Sequence, residues 1–394
     1  MSSRSLEAKV EPRVLAWARE SAGYGREDVA RRLRVQTTRI AQWEAGEDAP
    51  TVNRLRKLAN LYKRPVAAFF LPEPPAEPAH PNDFRSLDPG SDTEYPPALI
   101  LAIRKARRAA AIVSELTAAL RETIPEGEIP AIDPRSPAEA AAERLRTDLG
   151  VSVATQTKWK TSRQAFDEWS RALERKRVIV LQMRDVEMRS ARAFSIRGSP
   201  FSAIVVNSKD SWNGKIFSIF HEYAHLALQE AAVCDFREKL GRPAAGNPVE
   251  VLCNHLAAAF LLPREDLVAT EQIRRSIAQR RWADEDVTTL ARDFHVSYEA
   301  VLRRMTTLQL VSLSAYRAIH QRLKDQQTKT QKKERRFGPP PPVRAVLDNG
   351  LFFTSLVLEG IAKEKVPMSA IRDYLGAYPK HLDEIERLMH TRLG

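Results

Sequence analysis

Apolar residues recur at helical spacing over most of this chain. Residues 12–62 form a series of short amphipathic segments, 97–122 a long segment rich in Ala, Leu and Ile, and 215–232 an apolar segment without Gly or Pro. By contrast, Val178 to Leu181 and Ala203 to Asn207 have the apolar, β-branched character of strands. The pattern predicts a mostly α-helical protein with a small β-sheet, in the α+β class.

Proline-rich and charged stretches interrupt this pattern and predict its domain boundaries. An all-α N-terminal domain over 1–71 ends at a Pro-rich linker over 72–96. A central region over 97–315 contains both predicted strands. A basic, Pro-rich linker over 316–342 then leads into a small helical module over 343–394.

The amino-acid composition indicates the kind of partner and the cellular compartment of the protein. The chain has 62 Lys and Arg against 50 Asp and Glu, a formal net charge of +12, which favours attraction to nucleic acid. Its two cysteines, Cys234 and Cys253, fit a reducing compartment. We expect a cytoplasmic protein without a membrane partner, because the sequence begins without an apolar signal core and no apolar run reaches spanning length.

The strongest chemical signal is the pentad His221-Glu222-Tyr223-Ala224-His225, which has the spacing H-E-x-x-H. On a helix, residues four apart share a face, so both imidazoles can reach one metal ion. The intervening glutamate then lies beside a metal-bound water and can take its proton. The alternative is a pair of core histidines satisfied by backbone carbonyls, but an apolar helix makes the burial of three such groups costly.

A third ligand for a catalytic zinc has to come from another segment. The apolar helix predicted from Glu250 to Pro263 offers one, because Glu250 lies one turn before Asn254 on the same face. Glu250 could bind the metal, and Asn254 could orient a group that touches it. The alternative for Glu250 is a carboxylate favoured only by the helix dipole.

Three segments in this order resemble the ImmA/IrrE-type metallopeptidases. They are the strand Ala203 to Asn207, the run Phe217 to His225, and the helix Glu250 to Pro263, and the resemblance covers roughly residues 135–310. It implies a zincin-like peptidase domain with Zn²⁺ bound by His221, His225 and Glu250, and with Glu222 as general base.

The resemblance also implies an edge strand beside the metal that holds the substrate by strand addition. We place that role on the strand residues Ala203, Ile204, Val205 and Val206. The group that stabilises the oxyanion is not assigned by the sequence, and its candidates are Tyr223, His255 and Tyr298.

The N-terminal helices resemble helix-turn-helix domains of the xenobiotic-response-element (XRE) type, whose third helix enters the major groove of double-stranded DNA. The residues placed there to contact bases and phosphates are Gln36, Thr37, Thr38, Arg39 and Gln42. The stretch Gly23-Tyr24-Gly25 departs from the usual first connection. The alternative is a module that keeps this fold for protein–protein contact.

The two resemblances together imply a DNA-tethered zinc endopeptidase that regulates transcription by cleaving a partner repressor or regulator, in phage, stress or toxin–antitoxin control. The alternative is a non-proteolytic DNA-binding regulator or antitoxin that uses the peptidase fold as a sensor or interaction platform. A metabolic zinc hydrolase would leave the N-terminal domain without a role. A homodimer on a palindromic site stays open.

Overall fold

The helical periodicity of the sequence is realised along most of the described chain. The structure is a computed structural model that describes residues 6–75, 95–121, 125, 127–229, 248–279, 282–329 and 338–393. The chain forms two compact units, Met1–Lys105 and Ala106–Gly394. Helices dominate both units and a three-stranded sheet lies in the second, which confirms the predicted α+β class.

Short helices build the first unit around one apolar core. Trp43, Leu55, Tyr62 and Phe69 are among its most deeply buried side chains. The helices are α1 (Pro12–Glu20), α2 (Arg26–Leu33), α3 (Thr37–Ala45), α4 (Val52–Tyr62), the 3-10 helix Val66–Phe70, and the beginning of α5 (Pro97–Leu120), which continues into the second unit.

A glycine ends α3 and reverses the chain. Gly46 has φ +77°, a left-handed conformation that side chains with a Cβ rarely adopt. A Cβ at this position would also lie 3.1 Å from Pro12 Cγ. After the turn, Thr51 begins α4 by accepting a hydrogen bond from the Arg54 N–H at 3.4 Å.

Most of the helices lie in the second unit with the sheet. They are α6 (Ala138–Leu149), α7 (Val153–Gln156), α8 (Ser162–Glu174), α9 (Trp212–Ala227), α10 (Pro248–Leu261), α11 (Arg264–Ala269), α12 (Glu271–Gln279), α13 (Asp284–Asp293), α14 (Tyr298–Thr307), α15 (Leu313–Lys329), α16 (Pro341–Asn349), α17 (Leu351–Ala362), α18 (Ala370–Leu375), the 3-10 helix Pro379–His381, and α19 (Leu382–Leu393). At the centre of its core, Phe220 of α9 stacks on Phe260 of α10 with 4.0 Å between ring centroids.

The sheet corrects one sequence prediction. Its strands β1 (Val178–Met183), β2 (Ala193–Ile196) and β3 (Ser202–Asn207) lie in the order β1-β3-β2. The strand β3 pairs in parallel with β1 and antiparallel with β2, so it is central and fully buried. The prediction that Ala203, Ile204, Val205 and Val206 form a substrate-binding edge is therefore wrong, because both edges of β3 are used within the sheet.

The C-terminal helices α16 and α17 pack against β1 and α8 within the second unit. Gly350, between them, has φ +74°, and a Cβ there would lie 2.5 Å from the Val180 carbonyl oxygen of β1. An ion pair joins Arg184 to Asp348. These contacts make the predicted C-terminal module part of the same compact unit as the sheet.

The linker predicted over 316–342 is wrong over its first part, because α15 remains helical to Lys329. Its Gln, Lys and Arg residues have high helix propensity, which a charge-based linker prediction overlooks. Among the described residues no single helix is long and apolar enough to cross a membrane, and one sharply bent pair, α16 with α17, passes that test by length and composition only.

Candidate metal centre and nucleic-acid interface

The pentad lies in the C-terminal half of α9, a helix that is buried on almost all sides. The hydroxyl of Ser211 begins α9 by accepting a hydrogen bond from the Gly214 N–H at 3.0 Å. Apolar neighbours then enclose the helix, so that His221, Glu222 and His225 are 3%, 0% and 1% exposed. Polar groups buried this deeply need partners of their own.

The Nε2 atoms of the two histidines lie close to each other and to Glu250. The Nε2 atoms of His221 and His225 lie 3.2 Å apart. From the first turn of α10, the two carboxylate oxygens of Glu250 lie 3.2 Å from His221 Nε2 and 3.1 Å from His225 Nε2. The structure therefore brings together the three ligands predicted from the sequence, and all are buried.

These distances fit a bound zinc ion. Four ligands at about 2.0–2.2 Å in a tetrahedron around zinc lie about 3.3–3.6 Å from one another. The two Nε2 atoms, 3.2 Å apart, are close to this spacing, and Glu250 brings one carboxylate oxygen to 3.2 Å from His221 and the other to 3.1 Å from His225. Two imidazole nitrogens and one carboxylate are also a donor set typical of catalytic zinc sites, in which a water takes the fourth position.

Asn254 lies where the sequence placed it, one turn after Glu250. Its Oδ1 is 3.1 Å from His221 Nδ1. An amide oxygen can only accept a hydrogen bond, so it holds the proton on Nδ1 and leaves the lone pair of Nε2 directed toward Glu250 and His225. Burial alone would raise the pKa of Glu250, but hydrogen bonds and charge from the two histidines outweigh it and hold that pKa well below its usual range.

Ser195 is a residue of this site that sequence reasoning missed. From β2, its hydroxyl donates a hydrogen bond of 3.1 Å to Glu222 Oε2. The contact fixes the carboxylate that the sequence assigns as general base. The short segment Ala193–Ile196 was not predicted to be a strand, and no motif marks the serine, so only the fold reveals the pair.

Two of the three oxyanion candidates form hydrogen bonds with residues outside the metal centre. His255 Nε2 lies 3.1 Å from Glu139 Oε1, and the Tyr298 hydroxyl donates to Asp284 at 2.8 Å. Tyr223 is 0% exposed, and burial raises the pKa of its phenol.

A second group of missed residues holds the carboxyl end of α10. Three successive carbonyls at this end accept hydrogen bonds from buried side chains: Arg146 to Phe260 at 2.7 Å, Gln156 to Leu261 at 3.2 Å, and Arg304 to Leu262 at 2.9 Å. Cations are favourable at a helix C-terminus, where carbonyls lack intrahelical partners.

The charge of Arg304 is balanced within this group. Glu139 accepts two hydrogen bonds of 2.6 Å from the fully buried Arg304 guanidinium. These side chains therefore fix α10, the helix that carries Glu250, against movement along its own axis. Arg146 lies 114 residues before its partner Phe260, and Arg304 lies several helices after α10, so local sequence spacing gives no signal of these contacts.

The predicted DNA-contacting residues share one exposed surface in the first unit. Gln36 precedes α3, and Thr37, Thr38, Arg39 and Gln42 lie on it, all exposed. Thr38 and Gln42 are one turn apart and mark the centre of this face. The opposite face, with Ile40 and Trp43, is buried in the core of the unit.

A buried ion pair fixes α3 against α1. The Arg19 guanidinium donates to Glu44 at 2.6 Å and 3.1 Å, and their side chains are only 9% and 4% exposed. A second donor, Arg26 of α2, lies 2.8 Å from Glu44. Arg19 also donates to the Tyr24 carbonyl at 2.9 Å, so the unusual connection around Gly23 is held by the same guanidinium.

Comparison with known proteins supports both parts of this description. Residues 173–306 match the family described as the IrrE N-terminal-like domain, and residues 15–69 match the helix-turn-helix family. The chain thus combines an IrrE-type peptidase domain with an N-terminal helix-turn-helix domain, as the sequence predicted. Together they indicate a DNA-binding regulator with a peptidase-like domain.

Beyond these two families the similarities are distant. Among solved structures, a Mycobacterium tuberculosis transcriptional regulator matches with 18% identity and a TM-score of 0.29. The match covers 51% of this chain and 52% of the regulator, so it spans about half of either protein. No curated protein matches the chain.

Proposed function

We propose that this protein is a DNA-binding zinc metalloendopeptidase that regulates transcription by cutting a partner protein, such as a repressor. One observation carries the proposal: His221, His225 and Glu250 converge at 3.1–3.2 Å in a buried site, with Glu222 in the same helix turn. The helix-turn-helix match supports the DNA-binding part.

Zinc held by His221, His225 and Glu250 would supply a Lewis acid that polarises a peptide carbonyl and lowers the pKa of a bound water. Glu222 then accepts a proton from the attacking water and delivers it to the leaving amine. Ser195 orients Glu222 by its hydrogen bond to Oε2. Asn254 holds His221 in the tautomer that a ligand needs.

The strand β2 is our candidate for binding the substrate backbone. In the described part of the chain β2 pairs only with β3, and Ser195 ties it to Glu222. An extended peptide that adds to β2 would place its carbonyl groups beside the pentad helix, since β2 packs against α9. This assigns the substrate-holding role to the outer strand instead of β3.

The helix-turn-helix domain would bring the peptidase to a promoter, or to a repressor bound there. Binding to the same operator raises the local concentration of enzyme around its target without any direct high-affinity contact between them. A slow or latent peptidase would gain selectivity in this way.

A comparison of protein N-termini tests the proposal. Cells expressing the wild-type protein and cells expressing Glu222→Gln would be compared by mass spectrometry of labelled N-termini, in growth and under stress. The substitution keeps all three metal ligands and removes the proton acceptor. We expect at least one new N-terminus within a DNA-binding regulator in wild-type cells only. Identical sets of N-termini would refute cleavage and favour the non-proteolytic regulator.

A further inference from the structure

An acidic residue faces the DNA-contacting surface of the first unit, where acidic groups repel phosphates. Asp48 follows the Gly46 turn, and its Oδ2 lies 2.7 Å from Arg39 Nε. The same oxygen accepts a hydrogen bond of 3.2 Å from Trp43 Nε1. The carboxylate thus joins a buried anchor to an exposed arginine.

The anchor makes the position of Asp48 well defined. Trp43 is 2% exposed, so its indole is fixed by the core. The left-handed Gly46 turn brings the chain back toward α3, where the Glu47 N–H bonds to the Gln42 carbonyl at 3.0 Å. Asp48 is therefore positioned by the backbone hydrogen bond of the preceding residue and by the contacts of its own side chain.

Arg39 needs such support because of its place on α3. It lies one turn before the buried Trp43, and so at the border between the exposed face and the core. A long arginine at this border can lie along the protein or extend from it. The ion pair selects one arrangement while the side chain stays 48% exposed.

The atom used in the pair has a chemical consequence. Asp48 contacts Arg39 at Nε of the guanidinium, 2.7 Å from its Oδ2. A planar guanidinium can direct two N–H groups to O6 and N7 of guanine in the major groove. Fixing its plane beforehand reduces the entropy lost when those bonds form.

We infer that Asp48 is a positioning residue that presents Arg39 to one guanine in the DNA site, and so sets the sequence preference at that base pair. The inference rests on the DNA-binding part of the proposed function and is independent of the metal centre. In this arrangement the acidic residue contributes specificity, at the expense of general attraction to phosphates.

The test begins with selection of sites by the full-length protein from a random-sequence DNA duplex pool. Affinity is then measured for the selected site and for versions with each guanine replaced. Four proteins are compared: wild type, Asp48→Asn, Arg39→Lys and the control Glu47→Gln. Asparagine at 48 can still accept from the Trp43 indole, but it cannot hold the guanidinium by charge.

We expect the wild type to prefer guanine at one position by about 10-fold or more. Asp48→Asn and Arg39→Lys should both lose the guanine preference at that base pair and keep the base preferences at the other positions of the site. Glu47→Gln should behave like the wild type. A general loss of structure would weaken all positions together, so the position-specific loss separates the two causes. Thermal melting of each variant checks that the unit is folded.

Two outcomes would overturn the inference. If Asp48→Asn binds every sequence more tightly by the same factor and keeps the guanine preference, Asp48 only repels phosphates. If the wild type selects a site in which no guanine preference is lost in Arg39→Lys, the positioning role is refuted. A pool that yields no enriched sequence would refute sequence-specific DNA binding itself, and the inference with it.

Discussion

Replacing Glu174 by glutamine should change how the stability of the second unit depends on pH. Glu174 ends α8, is 8% exposed, and accepts a hydrogen bond from the Phe352 N–H of α17. Burial raises the pKa of this carboxyl to about 8, and the hydrogen bond from Phe352 opposes the rise without cancelling it. The folded protein therefore holds a proton that the unfolded chain releases near pH 4.5.

The sign and size follow from linkage. Because the folded pKa is raised, the contribution of Glu174 is fully present below its ordinary pKa of 4.5 and is lost as the pH rises through about 8. At about 1.4 kcal/mol per pKa unit, the rise from 4.5 to about 8 corresponds to at most about 5 kcal/mol of the free energy of unfolding. Glutamine keeps a hydrogen-bond acceptor for Phe352 and does not ionise.

Urea unfolding of the full-length protein at pH 5, 6.5 and 8, followed by circular dichroism, measures the effect. We expect Glu174→Gln to gain stability relative to the wild type as the pH rises, and to show a flatter profile. Glu168→Gln is the control, since Glu168 lies on the same helix with 33% of its side chain exposed, in an ion pair with Arg171. Parallel profiles for wild type and Glu174→Gln would refute the reasoning.

Three further perturbations follow from single contacts. Gly350→Ala should destabilise the second unit by about 2–4 kcal/mol in urea unfolding, because the new Cβ would collide with a carbonyl oxygen of β1. The control is Gly376→Ala at φ +68°, where a Cβ meets nothing within 4 Å, and this change should cost about 1 kcal/mol. Arg19→Met should cost the first unit up to about 3–5 kcal/mol, because Glu44 loses its buried partner and retains the half-exposed Arg26, and the double variant with Glu44→Met should recover much of this loss. A double variant no more stable than Arg19→Met would contradict the burial of the pair. Asn254→Ala should weaken zinc binding about 10–100-fold in a chelator competition, and unchanged affinity would exclude its support of His221.

The residues of the metal centre could be predicted because helical periodicity acts over short distances. The spacing of His221 and His225 alone brings their rings to one face of α9, and the same holds for Glu250 and Asn254 on α10. That the two helices meet was implied by the family resemblance and not by spacing.

The composition of β3 indicated its central position, and the family resemblance led to the wrong assignment as an edge strand. An apolar, β-branched run indicates a strand buried on both faces, and β3 is buried at every position. Such a strand fits the centre of a sheet better than its edge, so the pattern contained the correct answer and the edge assignment came from analogy. The outer strand that packs against the pentad helix, β2, is four residues long and too short for a clear alternating pattern.

Contacts between segments far apart in the sequence could not be predicted, because they depend on how the helices pack. Arg146 and Arg304 are ordinary surface residues by composition, and only the packing of α6 and α14 against the end of α10 buries them. The docking of Gly350 against β1 is of the same kind. Single-chain periodicity reports which face of an element is apolar but not which element covers it.

The metal content of the purified full-length protein tests the central claim most directly. Elemental mass analysis would compare the wild type with His221→Ala and with the control His255→Ala, since His255 is on α10 but contacts Glu139. The account predicts about one zinc ion per chain in the wild type and in His255→Ala, and a loss to background in His221→Ala. A wild-type protein that holds no zinc after zinc is supplied, or a His221→Ala protein that keeps it, would contradict the account.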